Sequence, residues 1–188
     1  YDELSGILMN WYRSLYETAQ YYKSISNNYT LKLLTEISDY TGKDNKYARR
    51  SMIELGNYYY ESKNYKQSFH WYENCLQIYD DLDAMYMVSK CYYSGKGVLQ
   101  DREKGIKILK DLAQIYQEGK SSIAPRNIKM AISLYEILSK KNDSDSEYKL
   151  GEIYFKGIPE IDEDDGILPD KIDACSWFIK AAMNDSND

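Results

Sequence analysis

The sequence predicts an all-α fold built from repeated helical hairpins. Three observations carry that expectation: an octet that recurs four times, a second helix-periodic stretch after each octet, and an Asn or Asp that opens every second stretch. With 188 residues the chain has room for one ordinary domain or for a few such units stacked end to end.

The octet reads "LGNYYYES" at 55–62, "VSKCYYSG" at 88–95, "LAQIYQEG" at 112–119 and "LGEIYFKG" at 150–157. An apolar residue leads, a small one follows (Gly56, Ser89, Ala113, Gly151), and a tyrosine stands four places after the leader (Tyr59, Tyr92, Tyr116, Tyr154). Residues four apart share one helical face, and the small residue lets a neighbouring helix approach closely. Glycine or serine ends the octet, and glycine there suits a left-handed cap. Each octet therefore predicts the end of a helix A.

The second stretches are "NYKQSFHWYENCL" (64–76), "DREKGIKILKDLA" (101–113), "NIKMAISLYEILS" (127–139) and "DKIDACSWFIKAA" (170–182). Asn or Asp in first place can accept an orphan backbone N–H. The fifth place is small (Ser68, Gly105, Ala131, Ala174), and the eighth and ninth are bulky (Trp71-Tyr72, Ile108-Leu109, Leu134-Tyr135, Trp177-Phe178). Places five, eight, nine and twelve fall on one stripe, which predicts a helix B packed on helix A.

The composite pattern, with its Gly95-Lys96-Gly97-Val98 loop, resembles the Sel-one-like repeat family, relatives of the tetratricopeptide repeat. "LGNYYYESKNYKQSFHWYENCL" is similar to a tetratricopeptide unit proper. The resemblance covers about 47–183 and implies a right-handed superhelical solenoid of antiparallel hairpins. Its members include adaptors of the endoplasmic-reticulum ubiquitin ligase, fungal activators of chitin synthase and bacterial secreted or signalling proteins.

The expected organisation is a divergent hairpin or cap over 1–45, then repeats at about 47–79, 84–113, 112–139 and 147–183 within 46–188. The cap comprises "LMNWYRSLYETAQYYKSI" (8–25) and "YTLKLLTEISDY" (29–40), split at Asn27-Asn28. Ser68 and Gly105 lie 37 residues apart, but Gly105 and Ala131 only 26. Either one helix over about 102–118 ends one hairpin and starts the next, or a loop is missing there. From Ala131 to Ala174 is 43 residues, and the excess is an acidic loop at 158–169. Glu160 and Asp162 to Asp165 lack the spacing and terminal glutamate of a calcium loop, so a solvated loop is expected.

Composition narrows the function. Hydrophobic residues make up 43% and charged residues 29%, enough for a core, and 21 tyrosines suit half-buried positions and contact surfaces. A formal net charge of −6 argues against a nucleic-acid backbone as partner. No apolar stretch approaches the roughly 20 residues that span a bilayer. Cys75, Cys91 and Cys175 have no metal-site spacing and read as buried free thiols. Sequons at Asn28, Asn142 and Asn184 keep the endoplasmic-reticulum lumen or secretion as alternatives to the expected cytoplasmic location. The chain opens on Tyr1, which reads as a fragment or a processed form.

His70 is the only histidine, so any triad or histidine base would have to use it. It reads as a partly exposed helix residue. No phosphate-binding or dinucleotide fingerprint is present. The expectation is a non-catalytic chain with no cofactor, metal or catalytic residue. A hydrolase or redox enzyme using His70 or a cysteine is the remote alternative.

A hairpin solenoid exposes a concave face made mostly by its A helices. If these resemble tetratricopeptide units, the groove positions lie two, five and six places after each octet leader. They are Asn57, Tyr60 and Glu61; Lys90, Tyr93 and Ser94; Gln114, Gln117 and Glu118; and Glu152, Phe155 and Lys156. Of these Asn57, Tyr60, Lys90, Tyr93, Gln114, Gln117, Glu152, Phe155 and Lys156 are the candidate partner-binding residues. Aromatics with polar neighbours suit a peptide-binding hot spot, although Tyr60, Tyr93 and Phe155 could equally pack on the adjacent hairpin. The expected partner is a peptide or helix of another protein. The alternative is a regulatory subunit that activates an enzyme by docking on it, with the acidic loop meeting a basic partner.

Overall fold

The computed structural model describes residues 2–40, 45–119, 125–158 and 166–185. Among them the chain is helical throughout, apart from turns and one isolated β-bridge, so the all-α repeat expectation holds. The acidic residues 159–165 lie outside the described residues. Contacts divide the chain into two compact units, one ending at Arg102 and one starting at Glu103.

The first unit holds α1 (Asp2–Tyr22), α2 (Asn27–Ser38), α3 (Lys46–Glu61), α4 (Tyr65–Tyr79) and α5 (Leu82–Ser94). Each helix packs on the next, and α1 also touches α3. Helix starts follow the local rule that a short polar side chain accepts an orphan N–H, worth about 1 kcal/mol each. Ser26 caps α2, Asn45 caps α3, Asn64 caps α4 and Asp81 caps α5. Asp81 is buried and also pairs with Arg49 on α3 at 3.2 Å. Ala19, Leu33, Leu34 and Leu55 form one core cluster, and Met52, Cys75 and Ala84 another.

The N-terminal pair is tied to α3 by a half-buried carboxylate. Glu54 accepts from Gln20 Nε2 at 2.9 and 3.0 Å, from Lys23 Nζ at 3.2 Å, and from the Tyr16 hydroxyl. Desolvation alone would raise its pKa, but the bonds from Gln20, Tyr16 and Lys23 outweigh it and hold the carboxyl below its ordinary value.

The second unit holds most of α6 (Arg102–Glu118), then α7 (Ile128–Ser139), α8 (Ser144–Lys156) and α9 (Lys171–Asp185). Asn127 caps α7 and Asp143 caps α8. Asp170 accepts from Ile172 and Asp173 N–H at the start of α9. The acidic loop is pinched at its base by Ile158 and Ile167, which exchange two backbone hydrogen bonds of 2.8 and 2.9 Å. Glu147 is fully buried in α8 and accepts from Ser139 Oγ at 2.9 Å and from Asn184 Nδ2 at 2.9 and 2.7 Å. Lys180 Nζ stands 3.3 Å from it, so the charge is paired as well as hydrogen-bonded.

The repeat pattern maps onto these helices residue by residue. All four octet leaders (Leu55, Val88, Leu112, Leu150) and all four small followers are buried. Places five and twelve of helix B are also buried in every hairpin. Leu112 fills both roles, as place twelve of a B stretch and as an octet leader, because α6 runs unbroken from Arg102 to Glu118. One helix over 102–118, the first of the two alternatives, therefore carries both patterns.

The backbone joins the two helices of a hairpin in a recurrent way. In three hairpins the N–H of the residue opening helix B donates to the carbonyl of the octet tyrosine: Asp101 to Tyr92 at 2.9 Å, Asn127 to Tyr116 at 2.8 Å, Asp170 to Tyr154 at 2.7 Å. The first hairpin differs, since its turn is too short. There Lys63 takes the positive φ (63°) while Ser62 stays at φ −74°. Gly95 (φ 70°, ψ 26°) is the left-handed cap expected, but Gly157 is not. Its φ of 64° comes with ψ 173°, a region essentially reserved for glycine.

Small followers set the distance between helices. A Cβ on Gly56 would stand 2.5 Å from the Tyr72 ring, and one on Gly151 2.6 Å from the Phe178 ring. Tyr72 is fully buried and its hydroxyl donates to Asn57 Oδ1 at 2.6 Å, so the ring cannot yield. Phe178 is half-buried and has more room. Alanine gains about 1 kcal/mol of helix propensity over glycine, whereas overpacking costs about 1–3 kcal/mol. Gly56→Ala is therefore expected to lower the urea midpoint, and Gly151→Ala to lower it less. Equal or raised midpoints would contradict the close-packing account.

The Glu54 carboxylate makes a pH prediction. A group whose folded pKa is depressed contributes stability above its unfolded value, near pH 4.3, and loses it as pH falls through the folded value. Glu54→Gln is expected to cost about 1 kcal/mol at neutral pH. The gap from wild type should close as urea titrations move below about pH 4. A gap independent of pH would show that the charge contributes nothing.

Candidate functional site

The candidate residues of the first unit gather at the C-terminal ends of α3 and α5. Tyr60, in the last turn of α3, is half-buried and stacks edge-to-face on Tyr65 at 5.4 Å between centroids. Lys90 is exposed on α5, with Nζ 5.7 Å from the Tyr60 ring and 5.3 Å from the Tyr86 ring. A cation over an aromatic face is held by the ring's quadrupole, worth about 0.5–1 kcal/mol when exposed. Tyr93 is half-buried, with the Arg102 guanidinium 5.8 Å from its ring. Asn57 is exposed but committed, since its side chain accepts from Tyr72.

One residue of this cluster escaped the repeat reading: Lys96. Its Nζ lies 4.8 Å from the Tyr60 ring and 4.7 Å from the Tyr65 ring, and donates to the Tyr60 hydroxyl at 3.0 Å. That hydrogen bond raises the ammonium pKa, so Lys96 is held charged. The loop presents it by backbone means. Lys96 N–H donates to Cys91 carbonyl at 3.1 Å, and Gly95 and Gly97 flank it with φ of 70° and 81°. A Cβ on Gly97 would stand 2.0 Å from the Tyr65 carbonyl oxygen, so the loop lies against the start of α4. The available signal was a lysine framed by two glycines.

In the second unit the candidates divide. Gln114 and Gln117 line a cavity of about 370 Å³, with Lys110, Tyr135, Tyr148 and Lys149 on its other walls. Gln117 Oε1 accepts from the Tyr135 hydroxyl at 2.8 Å, which fixes one wall, and Gln114 donates to Glu118 at 2.6 Å. Lys110 is anchored by Asp143 at 2.7 Å and Asp145 at 2.8 Å. Glu152, Phe155 and Lys156 stand outside this cavity. Glu152 pairs with Lys149 and Lys156, both at 2.9 Å, and these hydrogen bonds lower its pKa. Phe155 is 53% exposed and reaches the Phe178 ring only at 6.5 Å. The three aromatics given one groove register thus have unlike surroundings.

Among the described residues, His70 and the three cysteines have separate surroundings. His70 is exposed, hydrogen-bonded to Asn74 at 3.1 Å and stacked edge-on against Trp71. Burial pushes the Cys75 thiol up to about 12 and the Cys91 thiol up to about 11, which makes both poor nucleophiles. Cys175 corrects the sequence expectation, for it is exposed. It occupies place six of its helix B, off the packing stripe. Among the described residues, no group of His, Cys, Asp and Glu is placed to hold a metal ion, and no helix is long and apolar enough to cross a membrane.

The Sel1 repeat family model matches residues 49–74, 82–111, 109–143 and 144–186. The chain belongs to the Sel1 repeat family. The second and third matches overlap at 109–111, inside α6, which runs unbroken from Arg102 to Glu118. Repeats of this family commonly mediate protein–protein interaction and are generally non-catalytic.

The chain is also similar to solved structures. A Sel1 repeat protein from Oxalobacter formigenes is 18% identical, with a TM-score of 0.46 over 92% of this chain and 73% of that one. A Sel1 repeat protein from Klebsiella pneumoniae is 15% identical, with a TM-score of 0.42 over 92% of this chain and 86% of that one. A protective antigen present in uropathogenic Escherichia coli strains, displaying an SLR fold, is 20% identical. Its TM-score is 0.39, covering 81% of this chain and 33% of that one. No curated protein sequence matches the chain significantly.

The thiols make a direct test of the packing. In the native protein, Ellman's reagent is expected to titrate Cys175 rapidly, while Cys75 and Cys91 react only on unfolding. Rapid native labelling of a Cys175→Ser variant would contradict the burial of the other two.

Proposed function

We propose that the chain is a non-catalytic adaptor that binds a peptide or helical segment of another protein on the faces of its A helices. The observation that supports this most directly is the Tyr60, Lys90 and Tyr93 surface of the first unit. Its aromatic faces are half-exposed and already ordered by their neighbours, so binding would cost little side-chain entropy. In the second unit, Gln114 and Gln117 offer a polar-walled cavity, and Phe155 with Glu152 and Lys156 an aromatic edge among charges. Each unit is read as contributing its own contacts. The N-terminal pair α1 and α2, which precedes the first family match, is read as a cap on the first hairpin.

The test is a pull-down from the source cell comparing wild type with Tyr60→Ala/Tyr93→Ala/Phe155→Ala. Circular dichroism and urea midpoints check the fold, and Phe155→Ala alone serves as the least invasive variant. Loss of the captured partner, with affinity down about tenfold or more in a follow-up titration, is the expected result. Identical captured sets from wild type and folded triple variant would remove these faces from consideration.

A further inference from the structure

Cations in both units are held by carboxylates. In the second unit Lys110, Lys149, Lys156 and Lys180 all stand within ion-pair distance of carboxylates. In the first unit Lys23 and Arg49 do likewise. Lys90 and Lys96 do not: among the described residues neither has a carboxylate partner, and both rest on tyrosine rings. Glu61, beside Tyr60 in sequence, pairs with neither.

An aromatic face supports a cation without neutralising it. An ammonium has three donors and no acceptor, and Lys96 uses one on the Tyr60 hydroxyl. The charge of Lys96 is also placed in advance, because the Gly95 and Gly97 backbone fixes the loop that carries it. Lys63 and Lys66, exposed in the turn and helix start around Tyr65, add positive charge to the same stretch of sequence. The rings beside the ammonium groups supply apolar area for side chains that flank a carboxylate.

We infer that the Tyr60–Tyr65–Lys90–Lys96 cluster docks an acidic peptide segment, in which glutamate or aspartate alternates with apolar or aromatic residues. This rests on the adaptor reading and names the chemistry of its partner at the first unit. The carboxylates complete the ion pairs that the protein itself leaves unmade, and the adjacent residues pack on the tyrosine faces. A nucleic acid would also offer anions and stacking rings. A protein of net charge −6 with so few cations in the cluster is a poor match for a continuous phosphate backbone.

The experiment uses the full chain on an array of short peptides, each printed in glutamate, glutamine and lysine versions. Labelled oligothymidylate is titrated in parallel. The glutamate versions should dominate the bound set. Lys90→Gln/Lys96→Gln should lower their affinity about tenfold and erase the preference, whereas Lys90→Arg/Lys96→Arg should keep it. Raising salt should weaken wild type more than the glutamine variant. Binding that disappears in Tyr60→Ala/Tyr93→Ala yet ignores peptide charge would overturn the inference and leave the adaptor reading standing. A glutamate preference that survives the double glutamine variant would also overturn it, as would oligothymidylate binding more tightly than any peptide. An array bound by no version of the protein would overturn the inference together with the reading beneath it.

Discussion

The contact between a glycine on helix A and an aromatic ring on helix B sets the geometry on which the rest of the hairpin depends. At Gly56 the Tyr72 ring occupies the space a side chain would fill, and at Gly151 the Phe178 ring does the same. Once the two helices are that close, other bonds come into reach. Ser68 Oγ donates to the Gly56 carbonyl at 2.9 Å, and the Tyr72 hydroxyl crosses to Asn57. In the other three hairpins an inter-helix backbone bond to the octet tyrosine fixes where helix B begins. A local choice of residue size thereby becomes a rule for helix placement, and the apolar leaders beside it supply about 1.5–3 kcal/mol each on burial.

Charge follows from the same geometry. Hairpin packing buries Glu147 completely and Glu54 partly, and each is surrounded by donors from other helices. Such carboxylates are structural: their lone pairs are already occupied. Lysines at helix ends are treated in two ways, some clamped by acids and some laid over tyrosines. Tyrosine abundance makes the second treatment possible, since a phenol ring offers a face to the cation and a hydroxyl to its N–H.

Much of the fold was legible in the sequence because it rests on short-range spacing. Octet leaders, small followers and places five and twelve of helix B are fixed by helical period and buried where it places them. At places eight and nine, by contrast, Trp71, Ile108, Trp177 and Phe178 are only half-buried. Asn and Asp at helix starts act within three residues, so they too could be read directly. The candidate site was legible only in part. Lys96 joins Tyr60 and Tyr65 because a glycine two places before Leu99 lets the backbone touch the Tyr65 carbonyl, a contact that no local pattern encodes. Phe155 shares a register with Tyr60, but a register fixes direction and not neighbours: Tyr60 meets a lysine loop, Phe155 only the edge of Phe178. Cys175 was misread by counting cysteines rather than stripe positions, for place six points away from the packing.

The unbroken α6 has a consequence for what changes the chain can absorb. Elsewhere a turn separates the helices of a hairpin, and an inserted residue there lengthens a loop at small entropic cost. Inside α6 one added residue turns everything beyond it by about 100° relative to everything before it. Leu109 and Leu112 must both stay buried while Gln114 and Gln117 keep their cavity wall, so an insertion between 109 and 112 would expose one set or bury the other. This stretch behaves as a reading frame written in angles. Turns between helices can absorb a change of length, whereas α6 is expected to vary by substitution alone.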